Sequence, residues 1–169
     1  MAGKQLQLWL AAAVVLLAIS DASLTKNATK QFLRAHNEAR AAVGVDPLLW
    51  SKKMASYASK LASHSPGSAS CELSQEAASC EYGANQAEAN LFDRPATVVG
   101  SWVDEGRRYY NYGYNSCAAG HQNECESYTQ VVWKKTVKLG CGKANCGKDG
   151  SHIICLYSPP GNVPGERPY

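Results

Sequence analysis

A chain of 169 residues with a formal charge of +3 and 18% charged residues has room for one ordinary domain. Its charge is weak and scattered, with no block of five like charges, which argues against nucleic acid as a partner and against a charged interaction tail.

The N-terminus reads as a removable address. Lys4 is followed by an unbroken apolar run, Leu8 to Ile19, twelve residues long and too short to span a bilayer. Small residues Ala18, Ser20 and Ala22 close it. The pattern predicts a signal peptide over residues 1–22, cleaved after Ser20 or Ala22. A short membrane anchor is the alternative, weakened because no later apolar stretch approaches ~18 residues. With a leader of this kind, the seven cysteines at 71, 80, 117, 125, 141, 146 and 155 read as disulfides. A zinc site is the weaker reading, since no Cys-x-x-Cys pair occurs. Seven is odd, so one thiol is left free or pairs between chains. Asn27-Ala28-Thr29 is a glycosylation sequon at Asn27.

Phe32, Ala35, His36, Ala39 and Val43 fall on one helical stripe, predicting a helix over about 29–43 that stops at Gly44. His36 on that stripe reads as a core histidine bonded to the backbone. Leu48-Leu49-Trp50 is an apolar anchor. Ser51 is a good N-cap for a second helix carrying Met54, Tyr57, Ala58 and Leu61 inward and ending at Ser65-Pro66-Gly67. Residues 68–91 have poor periodicity and read as loop with short helical turns. Pro95 opens a third helix with Val98, Val99, Trp102 and Val103 on its buried face, closed by Gly106. A loop rich in tyrosine, asparagine and glycine follows. The block Ser127-Tyr128-Thr129-Gln130-Val131-Val132-Trp133 reads as a strand, because β-branched side chains lose χ1 freedom in a helix and fit a pleated surface. Further strands are expected at 137–143 and 151–157.

The tail from Pro159 to Tyr169 holds four prolines and two glycines. Proline cannot feed a sheet ladder, so this tail is expected to be irregular. Few apolar anchors mark it, so it should dock weakly, with a cost of about 1–3 kcal/mol when removed, and Ser158-Pro159 should be reachable by a protease. Helices first and strands later place the chain in the α+β class, with one domain over 23–158 followed by the tail 159–169.

Several motifs together resemble the cysteine-rich secretory, antigen 5 and pathogenesis-related (CAP) superfamily. They are Phe32-Leu33-x-x-His36-Asn37-x-x-Arg40, Leu48-x-Trp50, Tyr112-x-x-Asn115-x-Cys117, Tyr128-Thr129-Gln130-Val131-Val132-Trp133, Leu139-Gly140-Cys141-Gly142 and Cys155-x-Tyr157-x-Pro159-x-Gly161-Asn162. The ending Gly165-Glu166-Arg167-Pro168-Tyr169 is similar to the plant pathogenesis-related class-one members. The resemblance implies a three-layer α-β-α sandwich with a small antiparallel sheet. It also implies the pairs Cys71–Cys146, Cys117–Cys125 and Cys141–Cys155, which leaves Cys80 as the extra thiol.

Typical members gather two histidines and two glutamates in a central cleft that can hold a divalent metal. Carried over one position at a time, those sites hold Gln75, Ala84, Glu105 and Ser127 here. One ligand of four survives, and a single carboxylate does not hold zinc. His64, His121 and His152 do not have the spacing to replace the rest. Ser127 with Glu105 lacks the base that would activate a hydroxyl. The expectation is therefore a metal-free protein without cofactor or catalytic residues. It would be secreted to the apoplast or cell wall as a monomer, and would serve in defence or extracellular signalling by binding a sterol or other lipid. Trp102, Tyr109, Tyr110, Tyr112 and Tyr114 are the aromatic candidates for that ligand, with a simple packing role as the competing reading. The alternative is a precursor that releases Pro159–Tyr169, cut after Ser158, to a receptor.

Overall fold

The computed structural model describes residues 26–63 and 81–169. The leader, His64, Cys71, Gln75 and Cys80 lie outside the described residues, and with them the expectations attached to each.

Helix α1 covers residues 26–41, starting earlier than the stripe suggests, and the chain turns through Gly44 at φ +73°. Strand β1 is Leu49–Trp50. Ser51 caps helix α2, Lys52–Ser63, its hydroxyl accepting the Met54 N–H at 3.3 Å. Strand β2, Gly83–Asn90, corrects the loop reading of that stretch. Its sequence of alanine, asparagine, glutamine and glutamate has little strand propensity. Pairing along its whole length with β6, from Gly83 opposite Tyr157 to Asn90 opposite Gly150, holds it extended.

Helix α3 is Pro95–Tyr109, with Pro95 in its first turn as expected. It does not end at Gly106. That glycine marks a crossing instead: a Cβ there would lie 2.1 Å from the Glu124 carbonyl oxygen and 2.6 Å from Tyr128 Cβ. A short ribbon follows, β3 (Tyr110–Asn111) against β4 (Ser116–Cys117). The next element overturns the strand reading of 128–133. Helix α4 runs from Gln122 to Val131, and Val132 and Trp133 form the turn beyond it. Tyr128 through Trp133 are all buried, so neighbours decide the conformation and the β-branched pair is tolerated at the helix end. Strands β5 (Lys138–Cys146) and β6 (Gly150–Ser158) extend the two C-terminal expectations by a few residues.

The sheet order is β1-β5-β6-β2. β5 pairs antiparallel with β6, and β6 with β2, but β1 runs parallel to β5, so the sheet is mixed rather than purely antiparallel. Alternation along the strands builds the layers. Ile153, Cys155 and Tyr157 of β6, with Leu139 and Cys141 of β5, face a core shared with Phe32, Val98, Val99, Trp102 and Tyr128 from α1, α3 and α4. Ile154 and Leu156 point the other way, to Met54, Ala58, Leu61 and Ala62 of α2. Gly140 and Gly142 lie on that second face. Cβ atoms there would come within 2.4 Å of the Ala55 nitrogen and 2.2 Å of the Ser59 nitrogen, so the two glycines let α2 rest on the β5 backbone. This is the expected α-β-α sandwich.

Cys117–Cys125 ties the ribbon to α4, and Cys141–Cys155 joins residues directly opposite in the β5–β6 register. Cys146 is also disulfide-bonded. The pairing with Cys71 falls outside the described residues.

Candidate functional site

The first-helix motif is a row of anchors. Phe32 stacks on Trp50 with ring centroids 6.5 Å apart. Asn37 holds Leu48 from both sides: its Oδ1 accepts the Leu48 N–H at 2.8 Å and its Nδ2 donates to the Leu48 carbonyl at 3.3 Å. His36 is fully buried. Its Nδ1 is 2.7 Å from the Phe32 carbonyl oxygen, which only accepts, so Nδ1 carries the proton. In the neutral ring Nε2 then accepts from the Tyr157 hydroxyl at 2.8 Å. Histidine 36 is thus the core residue the sequence suggests.

Burial pushes the His36 pKa down to about 4, the bond to Phe32 opposing and the Arg40 charge reinforcing the shift. Since an unfolded histidine titrates near 6.5, the unfolded chain binds the extra proton between these values, and stability rises with pH across that window. The native contribution is complete above about pH 6.5 and falls away toward pH 4, by an amount on the order of 3 kcal/mol. Urea midpoints of the protein and of His36→Gln, followed from pH 4 to pH 7, should show the steeper slope in the unaltered chain; equal slopes would refute this role.

Arg40 completes the row. It is 1% exposed, and among the described residues no carboxylate forms a salt bridge with it. Its Nε donates to the Asp46 carbonyl at 2.7 Å, Nη1 to those of Val131 and Trp133 at 3.1 and 2.8 Å, and Nη2 to that of Thr136 at 3.1 Å. The guanidinium sits at the C-terminal end of α4, where the helix presents unpaired carbonyls and negative partial charge. Burial lowers its pKa to about 10, with Asp46 acting against that shift, so it stays charged at neutral pH.

Of the four positions that correspond to metal ligands, three are among the described residues, and of these only Glu105 carries a side chain that ligates zinc. Ala84 packs on the α2 side of the sheet beside the Met54 cluster. Ser127 belongs to α4 in the opposite layer, and its hydroxyl donates to the Asn123 carbonyl at 2.9 Å within its own helix. Asn85, on the other face of β2 from Ala84, reaches the Ser127 carbonyl at 2.8 Å. Glu105 is exposed on α3. Among the described residues no three His, Cys, Asp or Glu side chains gather as a metal site. His121 stacks flat on Tyr109 at 3.7 Å, and His152 lies 3.3 Å from the Gln86 side-chain oxygen. Dialysed protein should carry no stoichiometric zinc, which elemental analysis can check; near-equimolar zinc would contradict the reading of these positions.

The aromatic candidates do not converge on one opening either. Trp102 is buried in the core. Tyr109 is taken by His121, and the Tyr110 hydroxyl donates to Asn115 Oδ1 at 2.9 Å. Tyr112 stacks on Tyr169, with the Arg167 guanidinium 5.0 Å from its ring centre. Tyr114 stands in solvent at 85% exposure. An apolar cleft lies elsewhere, between α1 and α2. It has a volume of about 340 Å³ and is lined by Ala28, Phe32, Trp50 and Ala55 over a floor of Cys141 and Gly142. The stripe that marks α1 contains Phe32, but the cleft depends on where α1 and α2, packed on opposite faces of the sheet, come together beside β5, which spacing along the chain does not encode.

The tail corrects the expectation of weak docking. Gln130 is buried between it and β2: its Oε1 accepts the Gly161 N–H at 2.8 Å, and Cβ atoms at Gly83 or Gly161 would collide with its amide. Thr129 donates to Asn162 Oδ1 at 2.7 Å, and Asn162 Nδ2 donates to the Glu126 carbonyl at 2.9 Å. Thr136 donates to the Pro159 carbonyl, and the Lys134 N–H to that of Pro168. Arg167 donates to the carbonyls of Tyr112 and Gly113. The hydroxyls of Tyr128 and Tyr169 meet at 3.2 Å. Even the proposed cleavage point is engaged, since the Ser158 carbonyl accepts the Val137 N–H at 3.0 Å.

This sandwich of helices around a short mixed sheet, with its first-helix anchors and its degenerate ligand positions, defines a CAP domain. The chain belongs to the CAP family, described as the cysteine-rich secretory protein family, whose model matches residues 33–157. It is 41% identical over 157 residues to pathogenesis-related protein 1A of Nicotiana tabacum, covering 92% of this chain and 89% of that protein. It is 43% identical over 141 residues to pathogenesis-related protein PR-1 of Medicago truncatula, covering 82% and 78% respectively. Among solved structures, BmVAL-1 shares the fold with a TM-score of 0.68 at 23% identity, over 85% of this chain and 82% of that one. The protein is accordingly a CAP member related to the plant pathogenesis-related class-one proteins.

Proposed function

We propose that this protein is secreted to the plant cell exterior and acts there, as a monomer and without catalytic turnover, by binding a sterol or a similar lipid. The observation that carries the reading is the cleft between α1 and α2. Its volume of about 340 Å³ falls in the range of small-ligand sites, and its lining joins Ala28, Phe32, Trp50 and Ala55 to the polar side chains of Thr29, Ser56 and Ser59 and to Lys52 and Lys143 at its margin. Trp50, partly buried and backed by the core residue Phe32, offers an apolar ring surface of the kind a fused-ring ligand covers. The absence of turnover is supported by Ser127, whose hydroxyl bonds back into its own helix, and by Ala84, whose methyl group supplies neither ligand nor base. Secretion rests on the predicted leader and on the kinship with pathogenesis-related proteins.

Titrating the mature protein with dehydroergosterol, read by energy transfer from tryptophan, tests the proposal. Saturable binding is expected. Ala28→Trp, placed on the helix that walls the cleft, should weaken it roughly tenfold. Absence of saturable binding, or binding that ignores the Ala28 change, would overturn the assignment.

A further inference from the structure

Helix α1 carries two outer surfaces of different character. Ala28 and Phe32 line the apolar cleft toward α2. Asn27, Gln31, Arg34 and Glu38 fall on another face of the helix, at i, i+4, i+7 and i+11. With Arg94 at the start of α3, they line an open polar groove of about 590 Å³. Arg34 and Glu38 pair with each other at 2.7 Å, so neither charge demands a counter-ion. Arg94 forms no salt bridge among the described residues, and its guanidinium is a set of donors that hydroxyl oxygens can accept from.

Asn27 stands exposed at the end of this groove, in the first turn of α1. Its Oδ1 accepts from Gln31 Nε2 at 3.3 Å, and among the described residues its Nδ2 has no hydrogen-bond partner. Ala28 and Thr29 complete the sequon, with a hydroxyl two residues beyond the asparagine and no proline between. Side chains at i and i+2 do not face each other on a helix, so folded α1 is a poor acceptor and modification has to precede folding. The fold allows that interval. A helix of this length is marginal alone, and His36 in α1 has no anchor until Tyr157 arrives.

We propose that Asn27 carries an N-linked glycan whose first sugars lie along the polar groove toward the start of α3, on a face of α1 that leaves the apolar cleft open. The bond forms between Asn27 Nδ2 and the anomeric carbon of an oligosaccharide carried on a lipid pyrophosphate. The carbon–oxygen bond to the pyrophosphate breaks, the lipid pyrophosphate leaves with the electron pair, and the amide gives up one proton to the transferase. The proposal rests on the reading that the leader sends this chain into the secretory route.

Expression of the full chain in leaf tissue, followed by recovery from the extracellular fluid, tests it. Peptide N-glycosidase A should sharpen and lower the band on a gel and convert Asn27 to aspartate in the peptide mass. Asn27→Gln should abolish both changes. An extracellular chain with an unmodified Asn27 would overturn the glycan and leave secretion standing; a chain retained in the cytosol and unmodified would overturn both. Placement has its own readout. Of the three tryptophans beyond the leader, Trp102 and Trp133 are buried, so acrylamide quenching of fluorescence reports on Trp50 at the cleft. Quenching should be equal in the glycosylated protein and in Asn27→Gln. Weaker quenching in the glycosylated form would mean that the sugars cover the cleft, against the proposed path.

Discussion

Replacing Arg40 with methionine should lower the unfolding free energy by about 3–5 kcal/mol, the largest loss expected from one substitution here. The methionine fills most of the space but supplies no donors. The carbonyls of Asp46, Val131, Trp133 and Thr136 are then left without the guanidinium that now serves all four. A buried acceptor stripped of its partner costs about 1–3 kcal/mol, though relaxation and water entry keep four such losses from adding in full. Arg40→Lys should recover little, because an ammonium presents its three donors at one point and cannot fork to four oxygens. Urea denaturation of both variants checks the magnitude. A loss below about 1 kcal/mol for the methionine variant would mean that the carbonyls find other partners and that the anchor is not Arg40.

A chain ending at Ser158 should lose about 4–6 kcal/mol, well above the value suggested by the tail's composition. Prolines and glycines describe how poorly the segment joins a sheet. They do not describe what the rest of the fold offers it. Removal leaves the buried Gln130 amide facing the space where the Gly161 N–H was, leaves Thr129 without Asn162, and uncovers Tyr112 and Tyr128 as Tyr169 departs. Side-by-side urea melts of the full and shortened chains test this. The same geometry bears on the peptide-precursor alternative. With the Ser158 carbonyl held by Val137 and the Pro159 carbonyl by Thr136, a protease must first open this edge of the sheet. Cleavage at Ser158-Pro159 should therefore accelerate in mild denaturant long before global unfolding. A rate that matches an unstructured peptide in native buffer would show that the tail is released without such opening.

The sequence was most readable where one face of an element meets the core and the other meets water. Helix α2 and helix α3 carry that pattern, and Ser51 and Pro95 punctuate their starts as capping chemistry requires. β5 and β6 were visible as apolar runs between glycines. Two elements were hidden for opposite reasons. Helix α4 is buried over its last turns, so Tyr128, Thr129, Gln130 and Val131 show no polar face, and the β-branched residues point toward a strand. A helical signal was present in its first turns, where Gln122 pairs with Glu126 and Asn123 with Ser127 at i, i+4. β2 lacks apolar alternation because alanine suffices under α3 and the sheet supplies its hydrogen bonds. The site was legible only as a set of positions. That Ala84 and Ser127 lie in different layers follows from the pleat of β2, and the cleft and the groove follow from where α1 meets α2 and the start of α3, none of which local spacing determines.

The anchors of α1 and the partners of α4 also set an order of events during synthesis. His36 waits for Tyr157, 121 positions later, and the polar groups of α4 at Glu126, Thr129 and Gln130 are matched by residues 161 and 162. These partners are still inside the ribosomal tunnel when the early helices emerge. The domain therefore cannot complete its core until residues 157–162 have left the tunnel, and the aromatic and apolar face of α1 remains uncovered until then. A chain stalled with residues 157–162 still in the tunnel should stay sensitive to protease and gain resistance once these residues have emerged and reached α4.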